Sequence, residues 1–344
     1  MKLPNIELVK QMINKGYILV RKHPTVDLFI YNYSKQASAE HVWNAATEFC
    51  RGIICDKEYN IVARPFTKFY NYEELINNNI KIPNEPFEVY EKLDGSLGIM
   101  YFIDGNPYIA TRGSFDSEQA KHATKLLYSK YSNILHLLDQ TKTYLFEIII
   151  PHGVESNLVV NYGNIDDIFL LAVIDTETGN EYNIENYKQL FKCATKYDNV
   201  SDYLKFKDES NGANREGFII KFNSGFRMKL KFAEYFRAHA AKSVITIKGI
   251  FDAIMNGTCN ELRKKVESSL TEEDVIYFDE LVNELYHKYN EIESICKSEY
   301  RSDFGSRPDT AKYFRTCTYP HILFAMLDGK NYSSMIWKIV HNNI

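Results

Sequence analysis

Apolar runs of strand length recur through the first 240 residues and then stop, and this change of period constrains the fold more than any other feature of the chain. YILVRK, DLFIYNY, RGIICD, GIMYFI, YLFEIII and DIFLLAVID are separated by turn residues rather than by regularly alternating helices. They read as hairpins of antiparallel sheet, not as βαβ units. Helical spacing interrupts them at Asp116–Leu138 and, more briefly, at Asn183–Phe191. Beyond Ala241 the apolar positions Val275, Phe278, Val282, Leu285, Tyr289, Ile292 and Cys296 fall three or four apart, behind a Thr271 suited to an N-cap. Further helices are expected after Pro308 and over ILFAML and SSMIWKIV. The expectation is an α+β chain: an antiparallel-sheet domain over residues 1–240 followed by a smaller all-α domain over 241–344.

Composition removes several classes. With 45% hydrophobic and 25% charged residues in a chain of 344, disordered, collagen-like and disulfide-scaffold proteins are disfavoured. A net charge of −4 speaks against a coat of positive charge, so contact with a polyanion must come from local patches. The six cysteines are scattered without CxxC or zinc spacing, which predicts free thiols in a reducing compartment. No apolar run approaches the roughly 18 residues needed to span a bilayer, and the N-terminus carries lysines where a signal peptide is apolar. A soluble cytoplasmic protein with no membrane partner is expected. The nine histidines show no ligand spacing, His152 in IIPHG reads as a loop or packing residue, and no GxxxxGK[ST] is present.

The segment richest in chemistry is VYEKLDGSLG, where Lys92 stands at the end of a β-like run just before an Asp94-Gly95 turn. Alone this is as easily a surface turn with a solvated lysine. Downstream, however, ionisable residues interrupt apolar strands where a bland core would carry valine or leucine. Glu147 in YLFEIII is one; it needs a cation, a hydroxyl or a metal-bound water unless it lies on a solvated edge. The stretch from Arg215 to Phe232 reads as a hairpin around Asn223-Ser224-Gly225. Period two puts Phe226, Met228, Leu230 and Phe232 on one face and Arg227, Lys229 and Lys231 on the other. Lysines so aligned can clamp phosphate oxygens, or guard a sheet edge. Aromatic clusters such as Phe66-Thr67-Lys68-Phe69-Tyr70 could stack a base or fill the core.

KLDG (Lys92–Gly95), FEII (Phe146–Ile149), EGFIIKF (Glu216–Phe222) and MKLK (Met228–Lys231) resemble, in order and approximate spacing, motifs I, III, IV and V of covalent nucleotidyltransferases. CRGIICD and ARPFTKFYNYEE upstream are similar to the arginine and lysine segments of phage-type RNA ligase 1, a family of ATP-dependent RNA ligases. The resemblance runs from about Val42 to Phe236. It implies that Lys92, activated by neighbouring positive charge and partial desolvation, attacks the α-phosphorus of ATP. It places Arg51 and Lys68 on the pyrophosphate, Lys229 and Lys231 on the α-phosphate, and Glu91 and Arg112 among the nucleotide contacts. Glu147 would bind the ribose hydroxyl or a metal's water shell, Glu216 would serve Mg2+ (or Mn2+) through water, and Asp94 would orient Lys92 unless it merely forms the turn.

A DNA-ligase or capping-type chain would follow motif V with an OB-fold carrying an RxDK-like motif; here a helical module follows, and Arg301-Ser302-Asp303 is succeeded by Phe304. The departure favours an RNA ligase, and the resemblance implies one that acts on RNA 5′-phosphate and 3′-hydroxyl ends, those of a cleaved tRNA among the candidates, in RNA repair and in the host cytosol if the source is viral. No obligate protein partner is evident. The module from Ile245 onward carries 12 basic and 15 acidic residues, so its best RNA-binding patch is local: Arg301, Arg307, Lys312 and Arg315 among Tyr300, Phe304, Tyr313 and Phe314. A DNA ligase, a capping-type enzyme and a non-catalytic RNA-end binder remain the alternatives.

Overall fold

A computed structural model describes residues 1–151 and 158–343, so His152 lies outside the described residues. Contacts divide the chain into Met1–Tyr235 and Phe236–Ile344. The division falls five residues before residue 240, inside a helix that runs over Ala233–Lys242.

Among its described residues the first unit contains three sheets. β1 (Ile18–Lys22), β2 (Leu28–Tyr33), β3 (Arg51–Asp56) and β4 (Ile61–Ala63) form an antiparallel sheet in that order. The chain then lays down β5 (Tyr70–Asn71), β6 (Phe87–Lys92), β7 (Ser96–Ile103), β8 (Asn106–Thr111), β9 (Lys142–Ile149), β10 (Asp167–Asp175), β11 (Glu181–Tyr182), β12 (Lys196–Tyr197), β13 (Gly217–Phe222) and β14 (Arg227–Lys231). The second sheet has the order β11-β10-β9-β7-β8 and the third β12-β6-β13-β14-β5, antiparallel except where β14 meets β5.

Alternation along the strands decides what each face meets. On β9, Tyr144, Phe146 and Ile148 join Met100 and Ile109 beneath the helix Glu118–Lys130, whose Ala123, Leu126 and Leu127 complete that core. The opposite face of the second sheet, with Ile99, Tyr101 and Leu145, packs on Ile30, Ile54 and Ala63 of the first. Val89, Phe218, Ile220, Met228 and Leu230 bury the other side of the third sheet. The helix expected over Asp116–Leu138 ends at Lys130 and continues as a 3₁₀ turn over Ser132–Leu137, and Asn183–Phe191 yields only the 3₁₀ turn Ile184–Tyr187.

The second unit is helical among its described residues: after the Ala233–Lys242 helix come Ile247–Met255, Cys259–Ser269, Glu272–Glu299, Arg307–Phe314, Pro320–Leu327 and Ser333–Asn342. Thr271 caps the long helix through a reciprocal box with Asp274. Phe278, Leu285, Phe314, Ile336 and Trp337 lie in its core. Phe314 is therefore not an RNA-stacking residue, and Arg307 is paired with Asp328 at 2.6 Å. Arg301, Lys312 and Arg315 remain exposed. No described helix is long and apolar enough to cross a membrane.

Candidate active site

The third sheet presents its polar side in registered rows. Gly217 stands opposite both Lys92 and Lys231, Ile219 opposite Tyr90 and Lys229, and Lys221 opposite Glu88 and Arg227. Because side chains two apart share a face, a ladder of charge runs down three adjacent strands. Glu216, immediately before Gly217, lies between the ends of β6 and β14. Its Oε2 accepts from Lys92 Nζ at 2.7 Å and its Oε1 from Lys231 Nζ at 2.8 Å. Glu216 is 3% exposed, so the two ammonium groups supply the compensation that a buried carboxylate requires.

Two glycines allow the strands to close around this pair. Gly217 takes a φ of +148°, and a Cβ there would stand 2.2 Å from the Leu230 carbonyl oxygen. A Cβ on Gly95 would stand 2.5 Å from the Ile148 carbonyl oxygen and 2.8 Å from Glu147 Cγ. The Asp-Gly and Glu-Gly pairs of the sequence thus mark close backbone approaches.

Facing the ladder is a cavity of about 730 Å³ lined by Arg51, Glu91, Lys92, Arg112, Glu147 and Lys229, with Phe66, Phe69, Leu171 and Ile219 as its apolar wall. Six of the site residues expected from sequence therefore share one cavity. Lys68, Asp94, Glu216 and Lys231 are not in its lining, although Glu216 and Lys231 are tied to it through Lys92. Glu147 occupies the face of β9 that otherwise carries Leu145 and Ile149. Burial, reinforced by Glu216 and Asp94 and only partly opposed by Lys92, pushes its carboxyl up to about 7.

Asp94 neither orients Lys92 through a hydrogen bond nor serves only as a turn former. Its Oδ2 accepts from the backbone N–H groups of Val159 and Val160 at 2.6 and 2.9 Å, its Oδ1 accepts from the Tyr235 hydroxyl at 2.8 Å, and its own N–H donates to the Tyr162 hydroxyl at 2.7 Å. It pins the backbone after Lys92 to a segment 65 residues downstream. Sequence reasoning missed Tyr162 and Tyr235, because nothing local marks a tyrosine that supports an aspartate.

The charge state of Lys92 also differs from expectation. Burial lowers its pKa, but Glu216, Glu147 and Asp94 more than offset that, so the ammonium is held above the ordinary lysine value. Two other lysines are depressed: burial lowers Lys68, and at Lys229 burial is joined by Arg51, Lys92, Lys68 and Lys231 so that the value falls to about 7. Trace acetylation with acetic anhydride at pH 8, read by mass spectrometry, is expected to mark Lys229 ahead of Lys92. The reverse order would refute this assignment of charge.

Further cations gather near Lys229 at one end of the cavity. The buried Arg51 guanidinium has its pKa lowered, by burial first and Arg112 second, and its Nη1 has no hydrogen-bond partner among the described residues. An orphaned donor of this kind fits a ligand's oxyanion. At the opposite end Lys221 and Arg227 are both paired with Glu181, which also lines the cavity. Among the described residues no three acidic, histidine or cysteine side chains cluster as a metal site.

Lys92 thus stands at a strand end in a cavity lined by cations, and the chain that carries it compares in fold with a solved structure. An Aquifex aeolicus chain named as an ATP-dependent DNA ligase superposes with a TM-score of 0.50 at 14% identity, covering 85% of this chain and 81% of that one. Residues 49–236, more than half of the chain, match the model of the RNA ligase family, and the protein belongs to that family, the phage type that its motifs resemble. Among curated relatives, an RNA ligase of Rhodothermus phage RM378 is 22% identical over 80% of this chain and 77% of its own length. A protein of Autographa californica nuclear polyhedrosis virus, whose name pairs a polynucleotide kinase with an RNA ligase, is 25% identical over 68% of this chain. The match spans only 37% of that viral protein.

Proposed function

We propose that the protein is an ATP-dependent RNA ligase that joins RNA 5′-phosphate and 3′-hydroxyl ends in three displacements. Lys92 Nζ attacks the α-phosphorus of ATP, forming a phosphorus–nitrogen bond as pyrophosphate leaves. An oxygen of the RNA 5′-phosphate then attacks the same phosphorus, and Lys92 is released. Finally the 3′-hydroxyl attacks the activated 5′-phosphate and AMP departs. The observation that carries this reading is Lys92 at the wall of a cavity beside Arg51, Arg112 and Lys229, none of them ion-paired among the described residues.

The chain's own groups supply the rest. Lys92 must shed a proton before it can attack, and Glu216, 2.7 Å from Nζ, is placed to accept it. Lys229 and Arg51 would hold the phosphates, and Ile219 and Leu171 offer apolar surface to a base. Glu147, with a carboxyl near 7, can donate to or accept from a ribose hydroxyl at neutral pH. A magnesium or manganese ion, bound through the phosphates and the water around Glu147 and Glu216, would offset the charge that develops on the departing pyrophosphate. The helical unit would contribute RNA recognition through Arg301, Lys312 and Arg315, and repair of cleaved tRNA is the role that this arrangement suits.

The test is incubation with magnesium and α-labelled ATP or GTP, denaturing electrophoresis and mapping of the labelled peptide. Label from ATP on Lys92, followed by sealing of nicked RNA in preference to DNA, is the expected result. Label from GTP would move the reading to capping chemistry, and no label from either would leave an RNA-end binder.

A further inference from the structure

The cations in and beside the cavity are held in two different ways. Lys92 and Lys231 lean on the carboxylate of Glu216. Arg51, Lys68, Arg112 and Lys229 have no carboxylate within ion-pair distance among the described residues and lie over aromatic faces instead. Arg51 and Lys229 lie 5.6 and 5.0 Å from the Phe69 ring centre. Arg112 lies 5.0 Å from that of Tyr33, to whose hydroxyl it also donates at 2.9 Å. Lys68 Nζ is enclosed most tightly, 4.1 Å from Trp43 and 3.7 Å from Tyr70.

This difference has a chemical consequence. A carboxylate neutralises a cation and must be displaced before a phosphate can use the charge. A ring face attracts a cation through its quadrupole without pairing it, so no carboxylate has to be displaced before a phosphate binds, although burial still lowers the pKa of Lys68 and Lys229. Such rings keep mutually repelling cations in place while the cavity awaits a polyanion, which is preorganisation without charge compensation.

Trp43 is built for this task. It sits immediately before Asn44, which caps the helix Ala45–Phe49 through a reciprocal box with Thr47, and the Thr47 hydroxyl also donates to the Val42 carbonyl at 2.8 Å. The residues on either side of Trp43 are thereby fixed. The indole meets Tyr33 edge to face at 5.1 Å and Tyr70 at 6.4 Å, so one ring links the partners of Arg112 and Lys68.

We propose that Trp43 is a positioning residue that holds the Lys68 side chain in place for the β- and γ-phosphates of the nucleotide. The proposal rests on the nucleotidyl-transfer reading above. It concerns ATP capture alone, because joining an RNA already activated by AMP involves no pyrophosphate.

The test compares Trp43→Leu and Trp43→Phe with the unaltered chain, each checked for a normal melting transition. Trp43→Leu is expected to raise the half-saturating ATP concentration for Lys92 adenylation by about tenfold, with the saturating rate little changed. Calorimetric binding of inorganic pyrophosphate with magnesium should weaken by a similar factor, while sealing of pre-adenylated RNA should stay at the unaltered level. Trp43→Phe, which keeps a ring, should recover most of the loss. The proposal fails if Trp43→Leu leaves both ATP dependence and pyrophosphate binding unchanged, if Leu and Phe behave alike, or if sealing of pre-adenylated RNA falls in step with adenylation. If the unaltered chain forms no adenylate at all, the ligase reading falls and takes this proposal with it.

Discussion

Replacing Lys92 with alanine is expected to abolish covalent labelling by α-labelled ATP while leaving a folded protein that still seals pre-adenylated RNA. The first displacement needs the lysine nitrogen as nucleophile, and no other group in the cavity can replace it. Lys229, although neutral for part of the time at pH 7, is anchored on β14 over Phe69 rather than at the end of β6. Lys92→Arg should be equally inert, since a guanidinium keeps its proton. The third displacement involves no lysine, so it should persist once the RNA carries AMP. Labelling, a thermal melt and a sealing assay on each variant check the three parts; stable label on Lys92→Ala would sink the assignment of the nucleophile.

The second large effect is expected at Glu216. Removing its carboxylate takes away an ion partner of two lysines that are only 18% and 17% exposed, and breaking a buried pair from one side costs about 3–5 kcal/mol. Glu216→Ala should therefore lose that much stability in denaturant unfolding, together with adenylation. Glu216→Gln retains the shape and a hydrogen bond, and should cost less. It also removes the main attraction that holds the Lys92 ammonium up, so the alkaline rise of any residual adenylation should move to lower pH.

The sign of the linkage follows from the same group. Lys92 titrates above its ordinary value of 10.5, so its pairing stabilises the fold fully below that pH. The contribution is lost only as pH rises through the raised folded value. A Glu216→Ala chain whose stability and pH profile match those of the unaltered protein would show that the pair is incidental.

Much of this site was legible in the sequence because strand periodicity is a local property. Alternation alone put Arg227, Lys229 and Lys231 on one side of β14 and the apolar residues on the other, as the burial of Met228 and Leu230 bears out. The placing of Glu147 among apolar neighbours likewise pointed to a half-buried acid, which it is. The long helix and its Thr271 cap could be read from spacing three and four. Trp43 and Tyr33 could not, since an aromatic residue near a turn looks the same whether it fills a core or holds a lysine.

The sequence by itself determined where the long strands and the long helix lie and which of their residues share a face, because those depend on neighbours a few positions away. Only the tertiary structure decided that Glu216 stands between Lys92 and Lys231, across a separation of 124 residues from the first of them. With that decision came the sign of the Lys92 shift, which sequence reasoning had inverted: a buried lysine loses its proton more easily among cations and less easily beside carboxylates. Which of the two surrounds it is settled by strand register and not by composition, for a pKa is set by the charges within a few ångströms in space.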